Sequence, residues 1–378
     1  MNFQHTEDRR MLADALNRYV SREYDFDTRR QISASAEGCS KAKWNELTEL
    51  GVIGALFTEA QGGFGGSGFD IAVVFESLGR GLVVEPLLES AVVSTIIVLD
   101  APAKGHEALG RDLMSGVAIA AFAHGEPDSG YSQTYVTTSA SRSDGGWVLN
   151  GCKVNIGQGQ AAGTFIVSAR VSGNKGDAAG LALFAVPASS QGLRLLRHHA
   201  IDGGQIVDVV LDNVHLPESA LLGGDAFAVE AIERAIGRGV LALCAEAVGV
   251  MDVARDSTLE YLKTRKQFGV PIGSFQALQH RMATMLIEIE QARSAMVYAS
   301  AAIDSPDRIA REKALSTAKF LIGRIGVLIA EECIQMHGGI GMTAELPLSH
   351  YAKRLVMIDH QYGDAAYHLQ RFIALGKD

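Results

Sequence analysis

Two stretches of the chain gather the residue types that hold an anionic, planar ligand. The first, Arg265-Lys266-Gln267-Phe268-Gly269-Val270-Pro271-Ile272-Gly273-Ser274-Phe275-Gln276, carries a guanidinium, two amides and two aromatic rings. A guanidinium meets a phosphate as a two-pronged donor, and rings beside it shield a heterocycle. The second, Gln335-Met336-His337-Gly338-Gly339-Ile340-Gly341-Met342-Thr343, follows about 70 residues later and crowds its glycines together. Where Cβ atoms are absent, a backbone can approach a ligand directly. Each stretch also has a plainer reading, as a helical-hairpin turn with a surface arginine and as a helix stop.

The elements that must position these stretches are helices. Leu241, Ala245, Val248, Met251 and Ala254 recur every three or four residues before the first stretch, and Leu278, Met282, Met285, Leu286 and Ile289 do much the same after it. Between them Gly269, Pro271 and Gly273 interrupt the helical pattern, and Ser274 is placed to cap the next helix. The spacing predicts two long antiparallel helices joined by a short, stiff elbow. A further helix starts at Asp304-Ser305-Pro306-Asp307, with Ser305 as N-cap and Pro306 in the first helical position. Helices of roughly 30 residues span about 45 Å, long enough for a four-helix bundle whose outer faces bury against other subunits.

Residues 1–115 also read as helical. Thr6-Glu7-Asp8 opens a helix with Leu12, Leu16 and Val20 inside; Trp44, Leu47, Leu50, Val52 and Ile53 mark another. Gln61 to Gly66 is a glycine loop, followed by a helix over Phe69 to Gly81. Over 116–222 the apolar period changes to two. Ala118–Phe122, Thr134–Thr138, Gly146–Asn150, Thr164–Val171, Leu181–Val186, Leu193–Leu196 and Ile206–Leu211 read as strands, with a hairpin turn at Ser143-Asp144-Gly145 and a loop over Asn174–Ala179. Helix returns over 223–378. The division is thus an N-terminal helical domain, a middle antiparallel β domain and a C-terminal helical bundle, an α+β chain.

Hydrophobic residues make up 47% of the 378 and charged residues 20%, a globular profile. A net charge of −9 argues against nucleic acid or an anionic membrane as the main partner. Cys39, Cys152, Cys244 and Cys333 form no CxxC pair, which fits a reducing cytoplasm without disulfides or a metal site. The first residues show no signal-peptide pattern, and no run reaches the ~20 apolar residues of a membrane helix.

In this order and at this separation, the two ligand-type stretches resemble the acyl-CoA dehydrogenase family, over nearly the whole chain. The resemblance implies FAD as cofactor, a small β-barrel as the middle domain, and a tetramer. Arg265, Gln267, Phe268, Phe275 and Gln276 would touch the adenosine diphosphate part of FAD across a subunit interface. Gln335, Gly338 and Gly339 would approach it through an amide and bare backbone, and Phe122 would join the cofactor pocket from the β domain. The implied reaction draws a proton from the carbon α to a thioester while a β-hydride passes to the flavin, which needs a carboxylate base. Electrons would then pass to an electron-transfer flavoprotein.

The chain departs from the family pattern where the chemistry is done. Gly125 stands where many members have a threonine hydroxyl at the flavin edge, and Asn155 and Gly157 replace an indole and a hydroxyl. The usual Glu-Gly near the C-terminus falls in Ile358-Asp359-His360-Gln361-Tyr362-Gly363-Asp364-Ala365-Ala366. Counting from Gly338 puts Tyr362 at the Glu position; counting back from Gln370-Arg371 puts Asp364 there. A phenol, with a pKa near ~10, is a poor base at neutral pH. A second branch carries its Glu on the helix before the elbow, where this chain has Gly239. Asp364 is the first candidate substitute, as base or as acceptor of a cofactor hydroxyl. Glu246, two turns after Gly239, reads better as a paired helix carboxylate. Glu230 and Arg234 would pair on a helix surface, Arg238 would lie there or meet a CoA phosphate, and His337 reads as a structural histidine.

Tyr362-Gly363-Asp364 and the helix Leu243-Cys244-Ala245-Glu246-Ala247-Val248-Gly249 resemble the small subunits of bacterial two-component acyl-CoA dehydrogenases of the pimeloyl-CoA and steroid side-chain kind. That implies a homo- or heterotetramer, with a homologous subunit, in which the partner supplies the base. The readings that follow are a dehydrogenase subunit making a trans-2-enoyl-CoA, a catalytically silent partner completing another chain's FAD site, or an oxidase or monooxygenase on the same scaffold.

Overall fold

The computed structural model describes residues 6–102 and 104–377. Helices α1 (Glu7–Glu23), α2 (Phe26–Ala34), α3 (Lys41–Glu49) and α4 (Val52–Ala55) come first. They are followed by α5 (Gly68–Gly81), α6 (Thr95–Leu99) and α7 (Glu107–Met114), with a π-helical segment, Leu87–Ser94, before α6. Thr6 opens α1 as expected, its hydroxyl accepting the Arg9 N–H at 3.3 Å. The single helix expected through Trp44 and Ile53 is two. Gly51, at φ 81°, ends the first; Leu50 becomes an exposed C-cap, while Val52 and Ile53 are buried on α4.

The strands are β1 (Ala120–Ala123), β2 (Ser139–Ser143), β3 (Gly146–Gly157), β4 (Thr164–Arg170), β5 (Leu181–Pro187), β6 (Leu193–His199), β7 (Gln205–Pro217) and β8 (Leu221–Gly224). They form one sheet in the order β6-β7-β3-β2-β4-β5-β8, with β1 laid parallel against β4. Apart from that pair and one β2–β4 bridge, the pairing is antiparallel. Asp144-Gly145 makes the expected hairpin, pairing Ser143 with Gly146. Alternate residues Phe165 and Val167, Phe184 and Val186, Val207 and Val209 point into one apolar core.

The expected strand at Thr134–Thr138 does not form. The Glu126 carboxylate accepts the Thr137 and Thr138 N–H groups at 2.7 and 2.9 Å, and the Lys175 carbonyl accepts that of Val136 at 2.8 Å. Donors satisfied in this way are not available to a ladder.

The remaining elements are α8 (Asp225–Thr264), β9 (Lys266–Gln267), β10 (Val270–Pro271), α9 (Gln276–Ala302), α10 (Arg308–His337), α11 (Pro347–His360) and α12 (Ala365–Ala374). The stripe Leu241, Ala245, Val248, Met251, Ala254 is buried throughout, as are Met282, Met285 and Ile289 on α9. Leu286 is 45% exposed, because one residue past Met285 lies about 100° around the helix from the stripe. Two expected caps move. Asp307, not Ser305, caps α10, accepting the Ala310 N–H at 3.1 Å. Ser274 donates instead to the Pro271 carbonyl at 2.7 Å, closing a 3-10 turn, and Phe275 takes the N-cap of α9.

In space the chain gathers into two units. One holds the chain up to Arg30, Ser67–Val83 and the chain from Val240; the other holds Gln31–Gly66 and Val84–Gly239. In the first unit α5 and α8 touch at paired glycines. A Cβ on Gly79 would lie 2.3 Å from the Glu246 carbonyl, and one on Gly249 would lie 2.0 Å from that of Glu76. Ion pairs lock the same crossing: Arg80 to Asp252 at 2.9 Å, and Arg293 to both Glu76 and Asp252 at 2.9 Å. Gly249→Ala should therefore destabilise the chain by about 1–3 kcal/mol, read as a lower urea midpoint. Gly339→Ala, whose Cβ meets nothing within 4 Å, should leave the midpoint unchanged.

Candidate functional site

The elbow is a miniature hairpin. β9 and β10 pair Gln267 with Val270 and Lys266 with Pro271, leaving Phe268-Gly269 as a two-residue turn. Both turn residues have positive φ, 53° and 82°. Such turns favour Asn-Gly, and a bulky side chain there is strained. Phe268 is nevertheless 90% exposed, its ring edge-on to Phe275 with centroids 6.1 Å apart. Arg265, Gln267 and Gln276 are exposed beside it. The Arg265 backbone is anchored at both ends, N–H to the Tyr261 carbonyl and carbonyl to the Ile272 N–H, each at 2.8 Å.

The glycine stretch ends α10. Gly338, at φ 68°, closes the helix through its N–H to the Gln335 carbonyl. Gly339 needs no positive φ and has open space where a Cβ would stand, so nothing in the chain itself demands glycine there. Gln335, Gly338 and Gly339 are exposed.

Elbow and glycine stretch lie at one end of the same helices. The Tyr261 ring, in the last turn of α8, stacks on His337 with centroids 4.3 Å apart and 22° between planes. Arg281 near the start of α9 grips Glu332 near the end of α10 at 2.5 and 2.9 Å. His337 is buried and shares a 2.9 Å hydrogen bond with the Cys333 carbonyl; burial lowers its pKa, against that bond. It is a structural histidine, as the sequence reading favoured.

Each carboxylate considered as a base has another task. Asp364 is the N-cap of α12, accepting the Tyr367 N–H at 2.8 Å. Glu246 is buried in a bidentate pair with Arg354 at 2.5 and 2.7 Å. Tyr362 stands before Gly363 with φ 54°, and Gly363 has φ 108°. A Cβ on Gly363 would lie 2.4 Å from the Tyr367 ring, so a glycine is required at that position. Beside them Gln361 Oε1 is buried without a hydrogen-bond partner among the described residues. Gly339 has open space where a Cβ would stand and Arg265 is exposed, so this helix end leaves room for a large polar cofactor such as FAD.

In the second unit Phe122 is buried and stacks on His124, centroids 5.3 Å apart. Asn155 sits in a bulge between β3 and β7 at φ 58°, its N–H bonded to Asp208 Oδ1 at 3.0 Å. Left-handed backbone suits asparagine better than an indole, which accounts for the residue without a ligand. A Cβ on Gly157 would come 3.3 Å from the Glu89 side chain, and one on Gly125 would come 3.3 Å from the Val154 carbonyl. Arg234 pairs with Asp100 at 3.2 Å rather than with Glu230, and Arg238 donates to the Gly66 carbonyl at 3.3 Å.

Two buried lysines escaped the sequence reading. Lys153 donates to Glu126 Oε1 at 2.8 Å, Ser168 Oγ at 3.0 Å and the His124 carbonyl at 3.2 Å. Burial opposes the Glu126 charge, but Lys153 and the two threonines hold its pKa down to about 2. Lys319 is fully buried beneath the α11–α12 turn. The available signal was a lysine on an apolar stripe, between Leu315 and Ile322.

Asp364→Ala should cost about 1 kcal/mol by loss of the cap, and Asp364→Ser, which still caps, should restore it. If catalysis by the assembled enzyme survives Asp364→Ser, the carboxylate is a cap and not the base. Arg354→Met strands Glu246 and should lower stability by roughly 3 kcal/mol, measured by urea unfolding.

Three family models match the chain in succession: the N-terminal domain of acyl-CoA dehydrogenase over residues 6–116, its middle domain over 121–214, and its C-terminal domain over 229–369. The probable acyl-CoA dehydrogenase YngJ of Bacillus subtilis (strain 168) is 27% identical over 99% of this chain and 98% of its own. Among solved structures, the ChsE4-ChsE5 complex from Mycobacterium tuberculosis is 25% identical, covers 100% of this chain and 99% of its own, and superposes with a TM-score of 0.87. A Tcur3481-Tcur3483 steroid ACAD variant is 27% identical over 98% of both chains, with a TM-score of 0.87. With its helical, sheet and helical segments each matched in order, the chain belongs to the acyl-CoA dehydrogenase family, whose cofactor is FAD.

Proposed function

We propose that this chain is a subunit of an FAD-dependent acyl-CoA dehydrogenase that converts an acyl-CoA thioester to a trans-2-enoyl-CoA, paired with a homologous subunit that supplies the base. The observation that carries the cofactor part is the strained, 90% exposed Phe268 beside Arg265, at the same helix end as the bare Gly339. Strain of this kind persists where a ligand uses it. Arg265 would take the diphosphate as a two-pronged donor, Gln267 and Gln335 would bond the ribose and adenine edges, and Phe268 and Phe275 would cover the adenine. Gly338 and Gly339 would let backbone N–H groups approach. When bound, FAD supplies the acceptor for the hydride and passes the electrons on to an electron-transfer flavoprotein.

The pairing rests on the carboxylates. Abstraction of an α-proton needs an accessible base, and here Asp364 caps a helix, Glu246 is paired with Arg354, and the remaining position holds a phenol. A chain so built serves as the supporting member of a pair, in which its own role is to complete the cofactor pocket. That the ChsE4-ChsE5 and Tcur3481-Tcur3483 structures each name two components supports the same arrangement. A fatty acyl or steroid side-chain thioester is the substrate class this reading carries.

Purified alone, the chain should be colourless or weakly flavinated and inactive. Co-expressed with its homologous partner it should be yellow, and anaerobic addition of an acyl-CoA should bleach it. Arg265→Ala should weaken flavin retention by roughly tenfold or more, measured by flavin release on dilution. A complex that stays colourless, or never bleaches with any acyl-CoA, would defeat the proposal.

A further inference from the structure

Lys319 lies in the middle of α10 with 0% of its surface exposed. Its ammonium donates to the Asp359 carbonyl at 2.8 Å and to the Gly363 carbonyl at 2.6 Å. These two oxygens bracket the connection from α11 to α12, inside which Tyr362 and Gly363 both hold left-handed backbone. Three further side chains brace the connection, from within it or from the two helices it joins. Asp359 Oδ1 accepts the Ala365 N–H at 3.1 Å, Asp364 Oδ1 accepts that of Tyr367 at 2.8 Å, and His368 Nε2 donates to the Tyr362 carbonyl at 3.0 Å. Lys319 differs in coming from another helix, so it ties the turn to the bundle.

The lysine's surroundings argue against a large contribution to bulk stability. Its hydrogen-bond partners are carbonyls, not a carboxylate, and Cys244 on α8 is held protonated, its pKa pushed up to about 12 by burial. Burial lowers the Lys319 pKa to about 8 against the attraction of Asp359 and Asp364, with Arg354 adding to the lowering. A cation sealed away on these terms adds little net stability. What it secures is the position of two backbone oxygens.

We propose that Lys319 is a positioning residue for the α11–α12 turn: by holding the Asp359 and Gly363 carbonyls it sets the strained Tyr362-Gly363 backbone, and with it the face this chain offers to flavin and thioester. The last clause rests on the dehydrogenase reading; the positioning of the turn does not.

The test is amide hydrogen exchange on the full chain, comparing the Ala365, Tyr367 and His368 amides with those inside α10. In Lys319→Met, which fills the space without the charge, the turn amides should exchange roughly tenfold faster. The α10 amides and the thermal midpoint should hold or improve. Lys319→Arg keeps charge and donors and should recover part of the lost protection; it gives the same comparison if the methionine variant does not fold. Unchanged turn exchange, or a loss spread evenly over α10 with a lowered midpoint, overturns the proposal. These readouts need neither flavin nor substrate, so a failed bleaching experiment would leave them standing, and unchanged exchange would leave the dehydrogenase reading untouched.

Discussion

A charge taken out of water must find fixed partners, because the effective desolvation penalty is several kcal/mol per ion. Much of this chain's architecture answers that demand. Asp252 is met by Arg80, Arg255 and Arg293, Glu246 by Arg354, and Glu126 by Lys153 and two threonine N–H groups. Each set joins segments far apart in sequence. The Asp252 set holds α5, α8 and α9 in one register, and with them the end of the bundle where the elbow sits. The Glu126 set does the same for the 125–138 loop of the β domain, at the cost of a strand.

Backbone strain is the complementary feature. Phe268, Asn155 and Tyr362 all adopt positive φ, and each non-glycine residue so held costs on the order of 1–3 kcal/mol. Asparagine bears the conformation well; phenylalanine and tyrosine do not. The two aromatics lie in the two segments where the family resemblance puts cofactor and substrate. Around Tyr362 the strain is maintained by hydrogen bonds to the Asp359, Tyr362 and Gly363 carbonyls and the Ala365 and Tyr367 N–H groups. Around Phe268 the brace is Arg265, anchored at both its N–H and its carbonyl.

The carboxylates Asp364 and Glu246 both carry structural duties. An N-cap bond and a bidentate ion pair both favour the charged form of a carboxylate. Asp364 and Glu246 are employed in those ways. Arg265, Gln267, Phe268, Gln276 and Gln335 are by contrast exposed.

The helical bundle, the mostly antiparallel sheet and the elbow between α8 and α9 were legible in the amino-acid order, because apolar period and glycine or proline breaks act locally. Tertiary structure alone decided matters that depend on groups distant in sequence. Thr134–Thr138 reads as a strand until Glu126 is seen to take its donors. Arg234 reads as Glu230's partner until Asp100 is seen beside it. Glu246 reads as a paired helix carboxylate, but that its partner is Arg354, and that Asp364 caps α12, is seen only in the fold. Lys319 escaped the sequence reading altogether, and only the fold closes two carbonyls about forty residues away over it. Periodicity records which face of an element is buried; which oxygen meets which proton there is fixed by folding.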